Sequence, residues 1–315
     1  MEKLRIVFMG TPEFAVGILE AIIKNNYEVV GVITAADKPA GRGQNIKYSA
    51  VKEYALEHGL KLLQPTNLKD ETFLTELKSL QANLHVVVAF RMLPEVIWHM
   101  PKYGTFNLHA SLLPNYRGAA PINWAIINGE TKTGVTTFFI DDKIDTGAMI
   151  LSKDTEIATD ENAGSLHDKL MVLGSRTVIE TLSLIEKGNV DTTIQKDNSE
   201  IKTAFKLNRE NCKVDWNKSA NEIFNLIRGL SPYPGAWCYL KDKEEALAVK
   251  IYESKIIAEN HSLKIGQIIT SKKEIKVAVK DGFIEIISLQ LPGKKKMKSH
   301  ELLNGVIFSE KAHVE

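Results

Sequence analysis

The chain has 315 residues, of which 44% are hydrophobic and 25% charged, and its formal net charge is +1. This length exceeds what one hydrophobic core usually supports, so we expect two domains. The near-neutral balance argues against a wholly basic protein that coats nucleic acid, although it permits a local basic face. Two cysteines, Cys212 and Cys238, are too few for a disulfide framework and lack metal-ligand spacing. No signal-peptide pattern and no apolar run of membrane-spanning length is found, which predicts a cytoplasmic protein without a membrane partner.

Strand and helix patterns alternate along the first 185 residues. Apolar, β-branched runs predict strands at 4–9, 27–34, 84–89, 104–109, 134–140 and 148–152. Helical periodicity predicts helices at 14–23, 49–58, 122–127 and 163–185. Such alternation implies right-handed βαβ crossovers, and therefore an α/β fold with a doubly wound, Rossmann-like and mostly parallel sheet.

The pattern changes near residue 190. Residues 188–202 are polar and lack helical periodicity, which is typical of a linker. A helix is predicted at 219–228, followed by short strands at 236–240, 247–252, 266–270, 275–279 and 283–289. Closely spaced short strands indicate a smaller C-terminal β-barrel of the OB type. We therefore expect domains at 1–189 and 208–315, joined by a linker at 190–207.

Three polar residues with complementary chemistry lie at or after the ends of predicted strands. Asn107 and His109 are two residues apart, so in a strand their side chains share one face at its carboxyl end, where open α/β sheets bind ligands. An Asn amide can donate to an oxygen that gains negative charge, and a His can exchange protons near neutral pH. A carboxylate such as Asp145 can fix the imidazole in one orientation. The alternative is a polar pair at a strand end, with Asp145 capping a turn.

The loops around these residues suit a bound ligand. Ser111, Leu112, Leu113 and Pro114 follow His109, and the backbone groups of such a proline-shaped loop can hold a flat heteroaromatic ligand by its edges. A rigid loop that only leads into the next helix explains the proline equally well. At the end of the first strand, Gly10 alone represents the G-x-G-x-x-G fingerprint, which argues against a nicotinamide-dependent oxidoreductase.

Two segments carry positive charge. Lys38, Arg42 and Lys47 lie in or beside a glycine-rich loop and suit phosphate contact, although a solvated loop explains them as well. Between residues 250 and 298 there are eleven Lys and five acidic residues, an excess of six positive charges. The densest cluster comprises Lys294, Lys295, Lys296 and Lys298. A basic β-barrel is a common platform for nucleic acid, with phosphate contact favoured over base readout.

These motifs together resemble the methionyl-tRNA formyltransferases, a family of folate-dependent formyltransferases, over essentially the full length. The resemblance rests on FMGTPEFA, KPAGRG, NLHASLLPNYRGAAPI, DTG, VDW and LQLPGKKKM. It implies formyl transfer from 10-formyltetrahydrofolate to the α-amine of methionyl initiator tRNA, for translation initiation, by a monomer that needs no metal. The two alternative classes of enzyme are a formyltransferase acting on a small amine, such as a sugar nucleotide or ribonucleotide, and a nucleotide-dependent oxidoreductase. A non-enzymatic RNA-binding protein would leave the polar residues unexplained.

The resemblance also assigns residues. It implies that Asn107, His109 and Asp145 are catalytic and that Ser111 to Pro114 contact the folate. The loop at 38–43 is implied to contact tRNA, with Arg42 nearest the acceptor end. Phe90, Arg91 and Met92 occupy the segment that is expected to line the pterin pocket. That segment, AFRMLP, departs from the A-Y-G-x-I-L-P pattern of many relatives because it is one residue shorter and lacks the glycine.

Overall fold

The computed structural model describes residues 2–40, 45–196, 200–242 and 245–315. The α-helices are α1 (Glu13–Lys24), α2 (Ala50–Glu57), α3 (Glu71–Ser79), α4 (Glu95–Trp98), α5 (Pro121–Ile127), α6 (Ala163–Lys187), α7 (Ala220–Gly229) and α8 (Ser299–Leu303). The strands of the first half are β1 (Arg5–Gly10), β2 (Glu28–Ile33), β3 (Lys38–Ala40), β4 (Asn45–Lys47), β5 (Leu62–Leu63), β6 (Leu84–Val88), β7 (Thr105–His109), β8 (Arg117–Gly118), β9 (Lys132–Phe139) and β10 (Met149–Glu156). Those of the second half are β11 (Thr203–Ala204), β12 (Ala236–Asp242), β13 (Glu245–Ile257), β14 (Ile268–Thr270), β15 (Ile275–Val279), β16 (Gly282–Gln290), β17 (Met297–Lys298) and β18 (His313–Val314).

The chain divides into two compact units that alternate along the sequence. The first comprises Met1–Gly118, Thr133–Thr155 and His167–Thr203, and the second comprises Ala119–Lys132, Glu156–Leu166 and Ala204–Glu315. The continuous domains predicted from the sequence, with boundaries at 189 and 208, remain a proposal about which parts fold independently. None of the helices in the described ranges has the length and apolar character required to cross a bilayer.

The first unit is built on a sheet with the strand order β10-β9-β7-β6-β1-β2-β5. The pairs β2–β5, β1–β2, β1–β6 and β6–β7 are parallel, and β9 pairs antiparallel with β7. Because β1 is central and the chain extends first to one side and then to the other, the predicted doubly wound, mostly parallel fold is confirmed. The parallel strands end at one edge of the sheet, where ligands bind in folds of this class.

Helix α1 shows how the apolar pattern positions the elements next to this edge. Its residues Phe14, Ile18 and Ile22 recur at helical spacing and are buried. The turn before the helix is tight: a β-carbon at Gly10 would lie 2.6 Å from Cβ of Ala15 and 3.0 Å from the Val88 carbonyl oxygen. The lone glycine of the sequence motif therefore serves close packing between strand and helix.

The second unit contains an antiparallel barrel with the strand order β14-β15-β16-β13-β12-β18, while β17 pairs with β16. The two ends of this path meet, because the Val314 amide donates to the Gly266 carbonyl and the Ile268 amide to the Ala312 carbonyl, both within 3.0 Å. The predicted C-terminal barrel is thereby confirmed. Its core includes both cysteines, which are free and buried, and burial raises the pKa of the Cys238 thiol to about 12.

Candidate active site

Asn107 lies in the middle of β7, close to the carboxyl edge of the sheet. It is opposite Val87 of β6 and Phe138 of β9. Phe106 and Leu108 are buried on the other face of the strand, where a β-carbon on Gly174 of α6 would lie 2.8 Å from a Leu108 methyl group. Asn107 itself is half-buried, and its amide makes no hydrogen bond to another described residue. An amide in this state is available to donate to a substrate oxygen.

His109 ends β7, and a backbone carbonyl fixes its ring. The side chain is only 8% exposed, and Nε2 lies 2.8 Å from the Tyr116 carbonyl oxygen. Because a carbonyl oxygen only accepts hydrogen bonds, Nε2 carries the proton in the neutral ring and Nδ1 carries the lone pair. Tyr116 adopts a φ of 61°, a left-handed conformation that is uncommon for a bulky residue. The loop after β7 therefore turns back to hold the imidazole.

Asp145 faces the free nitrogen of this ring. Its Oδ2 lies 3.8 Å from His109 Nδ1 and accepts a hydrogen bond of 2.9 Å from the Gly118 amide. The structure thus differs from the predicted arrangement in one respect: the Tyr116 carbonyl orients the imidazole through a hydrogen bond, whereas Asp145 faces it across a longer gap. Asp145 has a φ of 55°, so the loop between β9 and β10 is in a strained conformation at this residue.

Gln195 holds the backbone of the same loop, and no motif or periodicity in the sequence identifies it. Its Nε2 donates to the carbonyl oxygens of Asp145 and Gly147, each at 2.9 Å. Its Oε1 accepts from Nε and a terminal nitrogen of Arg117 at 3.0 and 2.8 Å. Gln195 is buried although it lies in a segment predicted to be a polar linker. Only the tertiary structure shows that this segment supports the Asp145 loop.

The predicted folate-contacting segment, Ser111 to Pro114, is fixed by internal hydrogen bonds. The Ser111 hydroxyl donates to the Asn115 carbonyl at 2.7 Å, and the Thr136 hydroxyl donates to the Ser111 carbonyl at 2.8 Å. Ser111 and Leu113 are buried, whereas Leu112 and Pro114 are partly exposed. The segment therefore offers backbone and apolar surface to a ligand, while the Ser111 hydroxyl is already engaged.

The other predicted folate segment, Phe90 to Met92, follows the carboxyl end of β6. It begins after Ala89, which has a φ of 48°. Phe90 packs partly against the core, and Met92 is 65% exposed. The Arg91 guanidinium donates to the carbonyl oxygens of Pro65 and Thr66, the latter at 3.0 Å. Arg91 thus ties this segment to the loop after β5.

The predicted tRNA-contacting cations fall into two groups. Lys38 and Lys47 are register partners in the β3–β4 hairpin, and Arg42 lies outside the described residues. Lys294, Lys295, Lys296 and Lys298 are exposed around β17. Two of these have local partners, since Lys298 pairs with Glu253 at 2.5 Å and the Lys296 ammonium lies 5.0 Å from the centre of the Tyr252 ring. An ion pair of this kind reduces the positive charge that Lys298 offers to a phosphate.

Comparison with known proteins connects this geometry to a family. Residues 4–182 match the formyl transferase family model, and residues 206–306 match that of the formyl transferase C-terminal domain. A methionyl-tRNA formyltransferase from Flavobacterium johnsoniae is 74% identical over 314 residues, with 100% of both chains covered. The chain belongs to the methionyl-tRNA formyltransferase family. The member from Bacteroides thetaiotaomicron is 54% identical over 314 residues, with 98% of both chains covered.

Solved formyltransferases share the fold at much lower identity. WlaRD, a sugar 3N-formyltransferase determined in the presence of dTDP and 5-N-formyl-THF, has a TM-score of 0.64 and 22% identity. The match covers 94% of this chain and 100% of WlaRD. Membership of the formyltransferase family sets aside the oxidoreductase and the non-enzymatic RNA-binding protein that the sequence left as alternatives.

Proposed function

We propose that this protein transfers the formyl group of 10-formyltetrahydrofolate to the α-amino group of methionyl initiator tRNA, for translation initiation. Full-length similarity to methionyl-tRNA formyltransferases supports the reaction and the substrate. The observation that carries the mechanism is the juxtaposition of His109 Nδ1 and Asp145 Oδ2 beside the carboxyl end of β7. Membership of the formyltransferase family supports a folate-derived donor, and the 10-formyl derivative is part of the proposal.

The acceptor amine needs little activation. A free α-amino group has a pKa of about 7.7–8.0, so a large fraction is neutral near pH 7.5. The neutral amine attacks the formyl carbon, and the carbonyl oxygen gains negative charge in the tetrahedral intermediate. Asn107, whose amide has no partner among the described residues, donates to this oxygen. Losing one such donor typically costs about 10²–10³ in rate.

His109 receives a proton from the attacking nitrogen. Its Nδ1 is the basic atom because Nε2 donates to the Tyr116 carbonyl. Asp145 stabilises the imidazolium that forms, and Nδ1 then delivers the proton towards the departing folate nitrogen, directly or through water. The formyl carbon–nitrogen bond to the folate breaks while the bond to the amine persists. The step needs neither a metal nor a covalent intermediate on the enzyme.

The remaining assignments complete the proposal. Ser111 to Pro114 and Phe90 to Met92 contact the folate, chiefly through backbone and apolar surface. Lys38, Arg42, Lys47 and the cluster Lys294, Lys295, Lys296 and Lys298 contact tRNA phosphates. We also propose that the protein acts as a monomer in the cytoplasm, where initiator tRNA is used.

The decisive experiment supplies 10-formyltetrahydrofolate together with methionyl initiator tRNA, methionyl elongator tRNA or an amino-sugar nucleotide. We expect formylation of the initiator species, measured as acid-stable formylmethionine after deacylation, at a kcat/KM well above that for the other two. Preferential formylation of the sugar nucleotide would instead support the small-amine alternative. Absence of formylation of every acceptor would refute the proposed reaction.

A further inference from the structure

The second unit contains a cavity whose lining residues have no role in the proposed mechanism. It has a volume of about 640 Å³, within the range of about 300–1,000 Å³ typical of small-molecule sites. Its described lining includes Tyr233, Trp237, Lys206, Arg209 and Lys250 and contains no Asp or Glu. We call it the Tyr233–Trp237 cavity. A concave surface with two aromatic rings and three cations is suited to an anionic ligand that carries a flat ring.

The two aromatic residues of the cavity differ in their contacts and exposure. Trp237 is fixed, since its Nε1 donates to the Arg209 carbonyl at 2.6 Å and its ring lies perpendicular to that of Tyr239, with 5.3 Å between centroids. Tyr233 is 81% exposed, and its ring makes no aromatic or cation contact with another described residue. An exposed tyrosine ring at the rim of a cavity offers a free face on which a nucleobase can stack.

Two of the three cations have contacts that hold them in place, and none of the three has an acidic partner among the described residues. The Arg209 guanidinium lies 4.6 Å from the centre of the Trp237 ring, and the Lys250 ammonium donates to the Pro234 carbonyl at 2.7 Å. Among the described residues, no carboxylate lies within ion-pair distance of Lys206, Arg209 or Lys250. Their positive charge is therefore available to a phosphate, whereas the ion pair with Glu253 reduces the charge that Lys298 offers.

We propose that the Tyr233–Trp237 cavity binds one unpaired nucleotide of the tRNA substrate. The base stacks on Tyr233, and the adjoining phosphates contact Arg209 and Lys206. This inference rests on the proposed function, because it assigns a part of that substrate to a specific cavity. This site differs from the basic cluster around β17, which is proposed to contact phosphates. Stacking in the cavity requires a base that is not paired within an RNA helix.

The test compares single variants of the full-length protein. Tyr233→Leu removes the stacking face while keeping an apolar side chain, and Tyr233→Phe retains it. Arg209→Gln removes a cation, and Lys272→Gln is the matched control, because Lys272 is an exposed cation of the same unit outside the cavity. Dissociation constants for methionyl initiator tRNA are measured at several salt concentrations, and KM is measured for tRNA and for 10-formyltetrahydrofolate.

We expect Tyr233→Leu to weaken tRNA binding about tenfold, and Tyr233→Phe and Lys272→Gln to have less than a twofold effect. Arg209→Gln should also weaken binding and reduce the slope of log Kd against log salt by about one. The KM for the folate should not change in any variant. Ultraviolet irradiation of the wild-type complex should cross-link tRNA to the peptide that contains Tyr233.

Two results would overturn the inference while leaving the proposed function intact. One is wild-type tRNA affinity in both Tyr233→Leu and Arg209→Gln, and the other is cross-linking confined to peptides outside the cavity. If Tyr233→Leu fails to fold, as judged by circular dichroism, Arg209→Gln and the cross-link decide the question. A wild-type protein that formylates no tRNA and binds none would refute both proposals.

Discussion

Replacing Asp145 by Asn tests the electrostatic role of the carboxylate. The change removes one negative charge and keeps an oxygen that can accept the hydrogen bond from the Gly118 amide. Oδ2 lies 3.8 Å from His109 Nδ1, and both side chains are largely buried, with exposures of 17% and 8%. At this distance and an effective dielectric constant of about 20, two unit charges attract by about 4 kcal/mol. If His109 is protonated in the transition state, this energy corresponds to about a 10³-fold fall in kcat.

The assay is single-turnover formylation of methionyl initiator tRNA by Asp145→Asn, with Asp142→Asn as the control. Asp142 is an exposed carboxylate of the same loop, so its replacement should leave kcat within about twofold of wild type. Thermal melting must show that Asp145→Asn remains folded. An Asp145→Asn enzyme that retains more than a tenth of the wild-type kcat would refute the proposal that this carboxylate stabilises an imidazolium.

Three further outcomes are expected. Gln195→Ala should lower kcat at least tenfold while 10-formyltetrahydrofolate binding changes little, because the carbonyls of Asp145 and Gly147 lose their hydrogen-bond donor. An unchanged kcat would show that Gln195 does not position Asp145 for the reaction. Gly147→Ala should lower the free energy of unfolding, measured in urea, by roughly 3 kcal/mol, because its β-carbon would lie 1.7 Å from the Phe139 carbonyl oxygen. Gly305→Ala is the control, since its β-carbon meets open space and the free energy of unfolding should hardly change. Burial lowers the pKa of His85 to about 4 from an ordinary value near 6.5, so the unfolded state binds the proton more readily. This difference in the pKa of His85 should lower the free energy of unfolding by about 3 kcal/mol as the pH falls from 6.5 to 4. A His85→Gln variant with the same pH dependence in urea unfolding would contradict this expectation.

The sequence predicts most of the elements that position the site, because their side-chain patterns have clear periods. The strand predicted at 104–109 is observed as Thr105–His109, and Phe106 and Leu108 are buried on the face opposite Asn107 and His109. Period-two alternation in a strand is enough to place two side chains on one face. The short helix α3 was not predicted, although Asp70 caps it through a hydrogen bond to the Phe73 amide.

The interactions that hold the site could not be predicted from local patterns. The orientation of His109 depends on a backbone carbonyl, and any residue at position 116 supplies a carbonyl group. Gln195 lies 50 residues from Asp145 in the chain, within a polar segment whose composition resembles a linker. The ion pair between Lys298 and Glu253 likewise joins residues that are 45 apart in the chain. Such pairings depend on how the chain folds in three dimensions, and one sequence contains no signal for them.

The spacing between the imidazole and the carboxylate suggests why this site suits an amine acceptor. With Nε2 committed to the Tyr116 carbonyl, Nδ1 and Asp145 Oδ2 are two acceptors 3.8 Å apart, and neither has a proton to donate to the other. A single nitrogen that carries at least two protons can donate to both acceptors at ordinary hydrogen-bond distances. An amine meets this requirement, whereas a hydroxyl has one proton and can satisfy only one acceptor. We therefore expect the separation that the Tyr116 and Gln195 contacts maintain to favour a nitrogen over an oxygen nucleophile.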